Sequence, residues 1–159
     1  MSADIAALMH FEGGNALSDF RARRLLSALQ AVEPRVQGVS AQYVHWVRCP
    51  ASLDEFGANR LDALLRYGEP AVPGDGGTLV VVMPRLGTVS PWASKATDIA
   101  HNCGLPVQRI ERVTEYRLLL KRGLLGAGKP LPAEALSACA ALLHDRMTES
   151  VAFEREAAR

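Results

Sequence analysis

The sequence is poor in the features that make a catalytic or membrane chain easy to recognise. No apolar run comes near the roughly 20 residues of a membrane-spanning helix, so no such helix is expected. Charge is almost balanced, 18 basic against 17 acidic residues, which leaves no field to draw nucleic acid or an anionic membrane. Cysteine is scarce: Cys49, Cys103 and Cys139 are odd in number, widely spaced and apolar in context. That usage fits free thiols in a reducing compartment, the cytoplasm by default, and not a disulfide framework. Met1-Ser-Ala-Asp-Ile has no basic start and no cleavage-type segment, so it does not read as a signal peptide.

Site motifs are missing too. His10, His45, His101 and His144 are scattered without HxxxH, HExxH or CxxC spacing, and no metal site is expected. A catalytic thiol needs a facing base, but His101 and Cys103 are two apart on one helix and point different ways. All three cysteines are read as core. Gly123–Lys129 looks superficially like a phosphate loop, but its spacing is wrong and Pro130 follows the lysine. Arg21, Arg23 and Arg24 are too few for nucleic acid and suit an interdomain or subunit contact. His144-Asp145-Arg146 reads as a solvated or interdomain face near a helix end. No catalytic residue is assigned.

What is present is a regular alternation of eight elements. Strands are expected at Ile5–Phe11, Val36–Val47, Thr78–Met83 and Val107–Leu120. Helices are expected at Leu17–Val32 with Ser18 as cap, at Leu53–Tyr67 behind a Ser52–Glu55 capping box, at Ser90–Cys103 and at Ala133–Val151. At 159 residues this makes one domain whose halves, 1–72 and 73–159, each read strand, helix, strand, helix. An ungapped offset that lays Gly14 on Gly87 and Tyr43 on Tyr116 suggests duplication. Two such units, each short of a robust core, joined edge to edge give an α+β fold: a mainly antiparallel sheet with helices on one face. Strand Gln108–Tyr116 alternates polar and apolar residues, which predicts one covered and one wetter face.

The most specific stretch is Pro84-Arg-Leu-Gly-Thr-Val-Ser-Pro-Trp-Ala-Ser-Lys-Ala-Thr-Asp-Ile-Ala-His-Asn-Cys-Gly-Leu105. Physically it is a strand–loop–helix unit. Ser90 is placed to cap, Pro91 takes the first helical position, and Gly104 suits a left-handed stop. Trp92, Ala96, Ile99, Ala100 and Cys103 share one face of that helix. In wording the stretch resembles the N-terminal domain of the large single-chain phosphoribosylformylglycinamidine synthases of purine biosynthesis. Phe20–Leu26, Ala41–His45, Leu64–Gly68 and Leu143–Glu149 fit the same resemblance, which spans roughly residues 15 to 151.

The resemblance implies a domain that looks like a fused dimer of the small subunit of the split enzyme. It also implies a parent ligase that makes an amidine from formylglycinamide ribonucleotide, using ATP, Mg and ammonia drawn from glutamine. No cofactor is expected in this chain. The family continues past this region through a linker to synthetase and glutaminase domains, the expected partners. This chain alone is then expected to turn over nothing, and to self-associate through a patch its partners would cover. Arg85, Thr88, Ser90, Trp92, Ser94 and Lys95 are the candidates for substrate or interdomain contact. The loop could offer N–H groups to an anion, with Arg85 and Lys95 nearby. It could equally be an ordinary capped turn, or a surface that docks on the synthetase core. The alternative for the whole chain is a freestanding oligomeric module that binds an anion or small molecule; an independent hydrolase ranks last.

Overall fold

The structure, a computed structural model, describes residues 7–49, 53–70, 77–85, 87–121 and 131–155. Nine elements follow one another: β1 (Ala7–Asn15), α1 (Asp19–Val32), β2 (Val36–Cys49), α2 (Glu55–Leu65), β3 (Thr78–Pro84), α3 (Pro91–Asn102), β4 (Arg109–Leu120), α4 (Ala133–Leu143) and β5 (Glu149–Ala152). The five strands form one sheet in the order β1-β2-β4-β3-β5, with every neighbouring pair antiparallel. The long central pair, β2 and β4, sets Ala41 opposite Tyr116, Tyr43 opposite Thr114 and His45 opposite Arg112. Because side chains alternate, those six residues share one face.

That face carries the helices. Leu29 of α1 and Cys139, Ala140 and Leu143 of α4 pack at one end on Ala41, Tyr116, Leu118, Val80 and Val82. Leu61 and Leu65 of α2 and Ala100 of α3 pack at the other end on Val47, Cys49 and Ile110. Fully buried residues such as Leu29, Leu61 and Leu118 each contribute about 2 kcal/mol. Each helix pair is thus held by its own apolar cluster on the sheet, and the two pairs part above the middle of β2 and β4.

The face away from the helices is not the wetter one that alternation predicts. Val44, Trp46, Val81, Met83 and Val113 form a third buried cluster there. The chain beyond β5 brings Arg155 to the same side, where it meets Glu115 and Glu12. Both faces of the central strands are therefore covered over much of their length, which strand alternation by itself does not reveal.

Local signals account for most boundaries. The Ser18 hydroxyl accepts from the Arg21 N–H, Asp54 from Gly57 and Ser90 from Ala93, each a side-chain cap on an orphan donor. The cap of α2 is Asp54, so the helix opens at Glu55, later than the capping-box reading placed it; Ser52 lies outside the described residues. Gly104 has φ of 77°, as a left-handed stop after α3 requires. β1 runs on past Phe11 to Asn15 through an irregularity after Glu12. Gly14 is needed there, since a Cβ would stand 2.6 Å from the carbonyl oxygens of Tyr67 and Glu69. The last expected helix is corrected. α4 stops at Leu143, Asp145 accepts from the Met147 N–H in a turn, and residues 149–152 become β5 on the edge of β3. The segments 71–76 and 122–130, which include the glycine-rich Gly123–Lys129 run, lie outside the described residues.

Candidate functional site

Where the helix pairs part, the sheet floors a cleft of about 440 Å³. Its centre is Arg112 of β4. The guanidinium carbon lies 4.3 Å from the Tyr43 ring centroid and 4.7 Å from that of Trp92, and Nη1 donates to the Tyr67 hydroxyl at 3.1 Å. Four parts of the chain supply this cluster: β2 gives Tyr43, the end of α2 gives Tyr67, the first turn of α3 gives Trp92, and β4 gives Arg112. Arg21, in the first turn of α1, lines the same cleft, together with the hydroxyl residues Thr114, Tyr116 and Thr148. Of the arginine trio read from the sequence, only Arg21 lines the cleft; Arg24 stacks over Phe20.

Below the rings sits His45, with no exposed surface. Its Nε2 is 3.1 Å from the Tyr67 hydroxyl, and Nδ1 faces the Phe11 backbone without a hydrogen bond of good geometry among the described residues. Burial pulls its pKa down to about 4; the Phe11 backbone opposes this and the charge of Arg112 adds to it. His45 is therefore neutral at physiological pH. Gly13 makes room for it, since a Cβ there would stand 2.5 Å from the imidazole Cε1.

The six residues singled out by the sequence do not converge on one place. Ser90 and Trp92 border the cleft. Ser90 caps α3 and donates its hydroxyl to Glu111 at 2.8 Å, so the ordinary capping role is filled. Arg85 and Thr88 lie on a smaller recess, about 180 Å³, shared with Trp46, Arg48 and Arg109. Arg85 reaches the Met147 carbonyl at 3.5 Å, and the Thr88 hydroxyl donates to the Arg85 carbonyl at 2.6 Å. Lys95 stands beside a third feature, and exposed Ser94 borders none of the three.

That third feature is an apolar groove of about 310 Å³ between α2 and α3. Leu61, Leu64 and Leu65 form one side, Trp92, Ala96 and Ile99 the other. The apolar face of α3 is only half seated: Ala93 and Ala100 are buried on the sheet, while Ile99 is 56% exposed. Leu64 across the groove is 40% exposed.

The remaining reactive side chains serve structure. Cys49 and Cys139 are buried, and burial raises both thiol pKa values, away from a reactive thiolate. Cys103 ends α3 and packs partly buried against the second cluster. His101 and His144 donate to the carbonyls of Val107 and Ala140, at 2.6 Å each. Among the described residues no group of three or more His, Cys, Asp or Glu could hold a metal, and no helix is long and apolar enough to cross a membrane.

Tyr43 and Tyr67 lie in Ala41–His45 and Leu64–Gly68, stretches that carry the resemblance without pointing to a site, and Arg112 lies in none. Their signal is period two: Tyr43-x-His45 on one strand and Arg112-x-Thr114-x-Tyr116 on the next place polar and aromatic groups on the helix face. Fold and clefts together define an α+β domain with a polar cleft at its centre and an apolar groove at one end. The family model described as formylglycinamide ribonucleotide amidotransferase N-terminal matches residues 42–159, which include Tyr43, Arg112 and the whole Pro84–Leu105 stretch. The chain belongs to that family, the N-terminal part of an enzyme of purine biosynthesis.

Proposed function

We propose that this chain is a non-catalytic domain that packs on the synthetase domain of its parent enzyme and helps couple it to the glutaminase. The observation that carries this is the groove between α2 and α3. An apolar surface rimmed by Leu64 and Ile99 is unfavourable in water and suited to burial against another domain. Trp92 and Lys95 stand on this groove, which makes them the interdomain contacts among the six candidates. On this reading ATP, Mg and the glutaminase nucleophile belong to the other domains, the parent enzyme is a cytoplasmic ligase, and this chain alone is inactive. The duplication belongs to the same proposal. A strand order of β1-β2-β4-β3 is what two strand–helix–strand units give when they join through their second strands.

The test is a reconstitution. The chain is mixed with a polypeptide carrying the family's synthetase and glutaminase domains, and amidine formation is assayed with glutamine and with free ammonia. Activity that appears only on mixing supports the reading, and the ratio of the two activities tells which half-reaction the domain serves. No association and no rescue between folded partners would favour the second reading, a freestanding oligomeric binding module, which the polar cleft supports.

A further inference from the structure

The cleft has more donors than the fold uses. Only one N–H of the Arg112 guanidinium has a protein partner among the described residues, the bond to Tyr67. The side chain of Arg21 makes no hydrogen bond or ion pair there. The hydroxyls of Thr114, Tyr116 and Thr148 are likewise unpartnered among the described residues, although Tyr116 is only 9% exposed. Both acids on the cleft are engaged. Glu111 accepts from the Ser90 hydroxyl and from Arg109, and Glu149 accepts from the Asp145 N–H. With Arg109 answering Glu111, Arg21 and Arg112 on the cleft stand against one carboxylate without a cation, Glu149, so a small excess of positive charge is left.

Arg112 and Thr114 are half-buried on the floor of the cleft and Arg21 and Thr148 are exposed at its sides, so these donors face one space and can reach a single acceptor group entering it. We infer that the cleft is a binding site for a phosphate-type oxyanion, either free phosphate or the terminal phosphate of a small metabolite. The donors come from different sides: Arg21 from α1, Arg112 and Thr114 from the strand floor, Thr148 from the turn before β5. Convergence from several directions suits a tetrahedral group with many acceptor sites. A planar carboxylate would be served by a single guanidinium edge. The rings over Arg112 hold its guanidinium in place, so little side-chain freedom is lost on binding. This site is separate from the apolar groove, and it stands or falls independently of the docking proposal.

Isothermal calorimetry on this chain tests it, at constant ionic strength in a phosphate-free buffer, with tryptophan fluorescence as a second readout for the Trp92 ring beside Arg112. Inorganic phosphate and ribose 5-phosphate are expected to bind saturably, and acetate at least about tenfold more weakly. Tighter binding of ribose 5-phosphate would assign the site to a metabolite's phosphate; equal binding would assign it to phosphate itself. Arg21→Ala and Arg112→Lys, the latter keeping the charge and the fold, should each weaken binding about tenfold or more. Arg66→Ala, which removes a paired arginine just past α2, should leave it unchanged. No saturable binding by the folded chain, acetate binding as well as phosphate, or affinity indifferent to both cleft variants would overturn the inference.

Discussion

On the sheet face away from the helices, Arg155 donates Nε and Nη2 to the two carboxylate oxygens of Glu115, at 2.6 and 2.7 Å. On the helix face, the Arg112 guanidinium is held by aromatic rings and a phenol and forms no ion pair with a carboxylate among the described residues. Both arginines sit over the middle of the same sheet, and both are partly withdrawn from water. The difference is in who answers the charge. Glu115 is 3% exposed, and a carboxylate so buried is tolerable only because a forked cation closes it. Arg112 needs no such closure, since stacking and a hydroxyl hold a guanidinium while its other N–H groups remain available. A charge closed within the chain fixes the fold, and a charge left open is ready for something outside it.

The comparison can be broken at four points. Arg155→Ala strands the Glu115 carboxylate and should cost about 3–5 kcal/mol in urea unfolding. A loss below 1 kcal/mol would show that the pair does not close the face. Acid should act on the other face, through His45. Its pKa is lowered to about 4 in the fold against 6.5 in the unfolded chain, so between those values the unfolded state binds the extra proton. Its contribution is therefore intact above about pH 6.5 and is lost as pH falls toward 4, by about 3 kcal/mol at the limit. Urea midpoints from pH 7.5 to 4.5 should show this slope, and His45→Gln should flatten it.

Ser90→Ala removes a helix cap and a hydrogen bond to Glu111, and should cost about 1 kcal/mol. A melting temperature unmoved by that change would mean water replaces the hydroxyl fully. The smallest effect is expected at Arg21→Ala, within about 0.5 kcal/mol, because the side chain has no partner to lose among the described residues. A large destabilisation there would place Arg21 with Arg155, as a structural cation.

What the sequence reveals follows from the range of the interaction behind each feature. α3 is legible to the residue because Ser90, Pro91 and Gly104 act within a turn of themselves. α4 is overextended because its apolar periodicity runs on toward Val151, while β5 exists only through pairing with β3, some seventy residues earlier in the chain. The antiparallel sheet and one-sided helices follow from element order and length. The covered second face does not, since the burial of Val44, Val81 and Val113 is set by packing between strands distant in sequence and not by alternation along one strand. Of the cleft, Ser90, Trp92 and the cationic Arg21 are visible in advance. Arg112 gains meaning only once the register sets it opposite His45, and Tyr67 only once α2 ends above Tyr43. Thr88 and Arg85, a few residues before Ser90 in sequence, end on a different recess, where Arg109 at the start of β4 donates to the Thr88 carbonyl.

The groove between α2 and α3 is the surface on which docking depends. The most direct measurement is the affinity of the folded chain for a polypeptide carrying the family's synthetase and glutaminase domains, compared between the native sequence and Ile99→Asp. Ile99 is already more than half exposed, so the variant should fold as before, by circular dichroism and melting. The proposal predicts binding by the native chain and a loss of about tenfold or more on placing a charge in the groove. Equal affinity of the two chains would contradict it.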